Sequence, residues 1–534
     1  MNSRPLLIMI LLLLLSVCLS HFAGDRAFGE APDADITLPS VGPGCAGGQT
    51  QLVALDAPAP PGAGEIPQPL TPGTLVSFDG VDGSSLDGYM SIPPDTHMAA
   101  GAGAGNAGRV VMVTNMRVAI WDKTGALLAG PVSLNAFWGT TPTGSNASFD
   151  PKIIYDQHSD RFFICTISGR TPDPGGTSNL EITVSTSGTP GNLTTDWTKM
   201  SGSTLTAIGS YNCWYDYPGI GADNDSLFLT GNLFDSSGTN RGTKIRVFNK
   251  ASLLAGSYSF VDLNYDITAL TGIGTIQPAH VYGTTDNGSF YLINRYGSTL
   301  YRLWQITGDP AAPVASTATY SWTAGASMSV GAPQSGTAVT LALLSPRVMN
   351  AVYRGGHIWC TLTSDINSDS KSEVVWFKIA TNSGAPTTAD TGYINGSSST
   401  QWTFMPSINA NSLGQQTICY TQSGTDQYPD VRYVSRNDAT DPPGTFQASV
   451  VAKTSVGFYD SFATTNPDRW GDFSATVVDP DDQHFWVANE YCKVSAVNSS
   501  VWGTWIAKLD AIAPASVADY QLYEPPAERQ PERR

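Results

Sequence analysis

One phrase recurs seven times along this chain and restricts its fold more than any other feature. Its fullest form runs Asp468-Arg469-Trp470-Gly471-Asp472-Phe473-Ser474-Ala475-Thr476-Val477-Val478-Asp479, then after a polar gap His484-Phe485-Trp486-Val487-Ala488-Asn489-Glu490. It reads as a short apolar strand, an acidic turn and a second, aromatic strand. Weaker copies begin near Asp95, Asp150, Tyr217, Gln277, Val348 and Pro406. Copies lie about 55 to 70 residues apart, a period that suits four-stranded propeller blades better than solenoid repeats. Each interval leaves room for two more strand-like runs, such as 182–185 and 374–379. Short β-branched and aromatic runs bounded by Gly, Pro, Asn and Asp mark an all-β chain. A lone four-stranded sheet leaves one face unburied until it stacks on a neighbour, and radial closure removes long open edges. The expectation is an all-β β-propeller of seven blades, each of four antiparallel strands. Six or eight blades, or a sandwich, are the alternatives.

The chain is 534 residues long, which a closed all-β fold can absorb as one unit. Its 53 Gly and 35 Pro supply turns rather than disorder, because 41% of residues are still apolar. Residues 1–31 read as a secretory signal peptide: Arg4 precedes an apolar run from Leu6 to Leu15, and small residues follow. Residues 32–75 form a Pro/Gly/Ala-rich linker or N-terminal arm, 76–511 the propeller, and 512–534 a disordered tail. No later stretch is long and apolar enough to span a bilayer, so export to the extracellular side as a monomer is expected. The formal charge of −17 would repel phosphates, which argues against nucleic-acid and anionic-membrane partners. Six cysteines after Cys18 allow disulfides. Cys165, Cys360 and Cys419 share one repeat position, however, and fit buried free thiols equally well.

The candidate chemistry sits where each repeat's first strand begins. In a propeller these innermost strands ring the central axis, so their starts form one mouth. That mouth would gather Asp95, His97, Asp150, Lys152, Asp216, Tyr217, Gln277, His280, Arg347, Asn350, Arg469, Trp470 and Asp472. Asp95, His97, Tyr217, His280, Arg469 and Asp472 are candidate catalytic groups. Asp150, Lys152, Asp216, Gln277, Arg347 and Trp470 are candidate ligand contacts. Carboxylates, His, Arg and aromatics together suffice for sugar or anion binding and for general acid–base work. The competing role is structural: the same groups can tie blades together by bonding backbone around the channel. Asn115, Asn232, Asn294 and Asn489 close second strands and suit turns, with Glu490 a minor functional candidate. Asp365, Asn367, Asp369 and Glu373 place oxygens at positions 1, 3, 5 and 9 of one loop, a spacing that could hold a structural calcium ion. An ordinary polar turn is the alternative. There is no G-x-S-x-G elbow, H-E-x-x-H pair or Walker loop. The Ser-x-Asp-x-Gly-x-Thr-Trp box of sialidases is missing too.

Pro93-Pro94-Asp95-Thr96-His97, Asp216-Tyr217-Pro218-Gly219-Ile220-Gly221 and Arg469-Trp470-Gly471-Asp472-Phe473-Ser474 with Asn489-Glu490-Tyr491 together resemble a group of uncharacterised secreted bacterial β-propeller proteins. The resemblance covers roughly 76–511. It implies export and a propeller, and brings no catalytic residues with it. The functional expectation is a binding or interaction module for extracellular glycan or protein. A polysaccharide-active hydrolase or lyase with its site at the mouth is the alternative.

Overall fold

The computed structural model describes residues 71–512, apart from 85–90, 141–146, 172–175, 267–273, 286–287, 329, 383, 462–465 and 511. The signal peptide, the arm up to residue 70 and the tail from 513 lie outside these residues. The described strands form a β-propeller of seven four-stranded antiparallel blades, as the repeat period requires.

Blade 1 comprises His97–Ala100, Arg109–Thr114, Arg117–Asp122 and Leu127–Ser133, running from the axis outward. Blade 2 comprises Ser148–Asp156, Arg161–Ser168, Asn179–Ser185 and Trp197–Ser203. Blade 3 comprises Tyr211–Ala222, Ser226–Phe234, Asn240–Asn249 and Phe260–Asp266, with Thr206–Ile208 added beside its first strand. Blades 4 and 5 open with Gln277–Tyr282 and Val348–Arg354, and these two strands pair in parallel across the blade boundary. Blade 6 runs from Gln401–Ala410 to Val450–Lys453. Blade 7 combines Ala475–Val478, Phe485–Val494 and Val501–Leu509 from the C-terminal side with Thr74–Asp82, which pairs antiparallel with Val501–Leu509. The ring is therefore closed by a strand from the opposite end of the chain.

Burial falls from the axis outward. Ser148–Asp156 and Ser226–Phe234 are buried at every position, whereas Thr387–Ile394 and Val314–Ser321 are largely exposed. Polar outer strands suit an edge that must not recruit another chain. Adjacent blades pack through aromatic faces: Phe228 stacks on Phe290 at 3.6 Å, Tyr291 on Tyr353 at 5.7 Å and Trp322 on Phe377 at 4.3 Å.

The acidic turn of the repeated phrase has two jobs. Asp156, Asp223 and Asp479 each accept backbone amides of their own hairpin, as short carboxylates do in turns. Asp156 of blade 2 also binds Lys250 of blade 3 at 2.8 Å, and Asp479 of blade 7 binds Lys123 of blade 1 at 2.9 Å. Both pairs are buried, and the same joint recurs at two blade boundaries.

The recurring Asn differs from its expected turn role. The strands continue past Asn232, Asn294 and Asn489, so these residues do not end them. Their side chains link strands instead. Asn489 donates to Thr421 in blade 6, and Asn294 accepts the Trp304 indole N–H at 2.8 Å. The five described cysteines, Cys165, Cys213, Cys360, Cys419 and Cys492, are buried free thiols. No helix among the described residues is long and apolar enough to cross a membrane.

Candidate functional site

The mouth is built by backbone irregularity at the start of the inner strands. Asp95, Asp150 and Tyr217 all hold left-handed backbone, with φ of 48°, 46° and 54°. Pairing registers shift between Phe149 and Lys152 and between Asp216 and Gly219, as at a β-bulge. Non-glycine residues adopt such conformations at a cost of about 1 to 3 kcal/mol each, and these outliers cluster at functional sites. Here they bring Asp95, Asp150 and Asp216 from three blades together with Asp472, which leads into blade 7.

Hydrogen bonds fix this acid cluster. Asp95 accepts the Asp472 amide at 3.0 Å and the Asn115 side-chain amide at 2.9 Å. Asn115 in turn accepts the Asp150 amide at 3.1 Å. The Tyr217 hydroxyl donates to the Asp472 carbonyl at 3.2 Å, and its ring sits 5.0 Å from that of Phe473. Three cations answer the acids. Arg469 pairs with Asp472, the Arg347 guanidinium lies 4.7 Å from the Tyr217 ring centre, and Lys152 Nζ lies 3.5 Å from that of Phe473.

Burial dominates the electrostatics. It pushes the Asp95 carboxyl well above the usual range, and the nearby Asp472 and Asp150 add to the effect. Burial also raises Asp150 well above that range, reinforced by Asp216, to which protonated Asp150 donates a hydrogen bond. Asp216 is raised as well, chiefly by burial. Beneath them Glu490 is fully buried and pushed up to about 8, mainly by burial. Lys152 is brought down to about 7 and Arg347 to about 10, both by burial. Burial alone would weaken the charge on Arg469, but Asp472 and Asp95 hold it above its ordinary value. The mouth thus presents carboxyls that donate, carboxylates that accept, and a firmly charged guanidinium.

Most of this frame is closed to solvent. Asp216 is half-buried and the Arg469 side chain is 30% exposed. Beside them Arg170 is exposed and lies over the Phe149 ring at 3.8 Å, close enough to steady both Asp150 and Asp216. Arg170 and Phe473 escape a search keyed to strand starts: Arg170 follows the second strand of blade 2, and Phe473 looks like ordinary core.

Other sequence candidates lie elsewhere. His97, Gln277, His280 and Asn350 stand deeper, in the channel wall. His97 Nδ1 accepts the Ile153 amide of blade 2 at 3.2 Å, and His280 Nδ1 accepts the Ala222 amide of blade 3 at 3.2 Å. Asn350 exchanges two hydrogen bonds with Ile408 of blade 6. These side chains tie inner strands to each other. Burial keeps His97 well below the usual imidazole range and lowers His280 to about 4, so both are neutral near pH 7. Trp470 corrects the expectation of a ligand contact. It is 1% exposed, packs edge-on against Tyr459 and donates to Thr421 at 3.2 Å, which makes it core.

In the 365–373 loop, Asp365 accepts the amides of Asp369 and Ser370, and Glu373 accepts the Ile366 amide and the Asn367 side chain. Asp369 turns to Lys371 at 2.9 Å. The loop thus uses these oxygens to hold its own backbone. Among the described residues no group of three or more His, Cys, Asp or Glu is arranged to hold a metal ion.

No family model matches the chain, and no curated protein matches it either. Solved structures similar to it include a Dyadobacter fermentans protein of unknown function, at 9% identity and a TM-score of 0.36, covering 68% of this chain and 96% of that one. An exo-β-1,3-galactanase from Phanerochaete chrysosporium is similar at 12% identity and a TM-score of 0.29, covering 81% and 99%. A mutant of the NanB sialidase from Streptococcus pneumoniae is similar at 10% identity and a TM-score of 0.36, covering 75% and 82%.

Proposed function

We propose that the protein is exported by its N-terminal leader and binds an extracellular glycan at the mouth. One observation carries this reading: acid and guanidinium groups from several blades converge there, and those left within reach of solvent are Asp216, Arg170 and Arg469. Sugar hydroxyls both donate and accept. The Asp216 carboxylate beside the Arg170 guanidinium, together with Arg469 held on Asp472, meets both needs, and the buried acids behind them hold the geometry. Binding is favoured over catalysis because the channel imidazoles are spent on backbone amides of neighbouring blades.

A hydrolytic reading is favoured by a different observation. Protonated Asp150 stands against Asp216, and a retained proton beside a reachable carboxylate is general-acid chemistry. One experiment separates the two. The mature protein is passed over immobilised neutral and acidic polysaccharides while released reducing ends are followed. Retention without release, lost in Arg469→Ala and Asp216→Asn, is the expected result. Sugar release abolished by Asp150→Asn would replace binding with hydrolysis.

A further inference from the structure

The central channel holds a cavity of about 290 Å³, walled by inner strands of all seven blades. It extends from below the acid cluster to the far end, where Gln157, Tyr282 and Arg354 are half-buried and Gly283 is exposed. Four side chains of this wall carry buried polar atoms with no hydrogen-bond partner: Gln157 Oε1, Gln277 Nε2, His280 Nε2 and Arg354 Nε. Gln277 is only 3% exposed, so its amide has no bulk water to turn to. A buried polar atom left unpaired costs about 1 to 3 kcal/mol, and a water or a ligand group must meet it.

The chemistry of the wall restricts the occupant. The unpartnered set is one acceptor and three donors, since the neutral His280 ring accepts at Nδ1 and so carries its proton on Nε2. Arg354 is neutralised by Asp482 at 2.8 Å, so the far end offers no uncompensated charge for an anion. The rings of Tyr155 and Tyr282 supply apolar wall. Donors, an acceptor and ring faces without net charge suit a neutral polyhydroxylated ring. The volume stands at the small end of ligand pockets, near about 300 Å³, enough for one ring rather than a chain.

We propose that the channel is a second binding site, which takes a single neutral sugar ring from the far end. It is separate from the mouth and does not depend on the mouth binding glycan. The full mature protein is titrated with D-glucose, D-galactose and D-mannose, with saturation transfer to the sugar protons as the readout. At least one sugar should bind with a millimolar dissociation constant. Gln277→Leu and Arg354→Met should each weaken it by about tenfold or more, while Arg469→Ala leaves it unchanged. No transfer to any of the three sugars overturns the proposal, as does undiminished binding by both channel variants. Loss on Arg469→Ala with both channel variants intact would assign the sugar to the mouth instead. Should a channel variant fail to fold, wild-type crystals soaked in the same sugar decide: density between Gln157, Gln277 and Arg354 supports the site, and water alone there contradicts it.

Discussion

Glu490 is the residue on which the mouth rests. Its carboxyl is fully buried under the Gly471–Asp472 backbone, and a Cβ at Gly471 would collide with it. Gly471→Ala should therefore destabilise the fold by about 1 to 3 kcal/mol through overpacking. Gly191→Ala, where a Cβ would meet nothing within 4 Å, should be near neutral. Denaturant titration of both variants checks the contrast. Glu490 also sets a pH signature. Its folded-state value of about 8 lies above that of an unfolded carboxyl, so the native state holds a proton the unfolded chain has lost. Stability is then greatest near the ordinary carboxylate range and declines as pH rises toward 8. Asp95 and Asp150 act in the same direction. The melting temperature should fall by several degrees from pH 5 to pH 8, and Glu490→Gln should flatten that slope; a flat wild-type profile would contradict the assignment. At this scale the sequence is half legible. Asp95, Asp150, Asp216 and Asp472 stand out because they recur at the opening of the repeated phrase, just before its first apolar run. Whether such a side chain faces ligand or staples a blade depends on one or two residues of depth, as His97 and His280 show.

Among the elements, the hairpin between a blade's first two strands joins that blade to the next. The buried pairs Asp156–Lys250 and Asp479–Lys123 occupy equivalent places. Removing one partner strands a buried charge, so Lys250→Met should cost about 3 to 5 kcal/mol. Adding Asp156→Asn to it should recover part of that loss. Calorimetric or chemical melts of the single and double variants read the difference. The acidic turn was visible in the sequence as punctuation. Its cross-blade partner was not, because Lys250 and Lys123 follow third strands far along the chain. The 365–373 loop makes the same point: its spacing of oxygens suits a cation, yet the loop's own amides take up Asp365 and Glu373.

For the whole molecule, closure of the ring rests on Thr74–Asp82. Val81 is the one buried residue of this strand, and Phe78 lies 5.9 Å from Trp121 and 6.5 Å from Trp486. Asp79 accepts from the Tyr491 hydroxyl, and Asp82 pairs with Lys493 at 2.6 Å. Deleting 74–82 should open the ring between blades 1 and 7 and speed proteolysis there, while substituting exposed Leu75 should not. Seven blades were legible because each must bury a sheet face against its neighbour, which imposes the repeat. The closing strand carries no copy of the phrase and has a single buried residue, so nothing in its pattern marks it. The central role proposed for the ring is that its mouth binds glycan through Arg469 and Asp216. Hydrogen–deuterium exchange with a retained polysaccharide fragment tests this most directly. Protection confined to 216–217 and 469–473 is the expected result, and protection confined to the outer strands of the blades would contradict it.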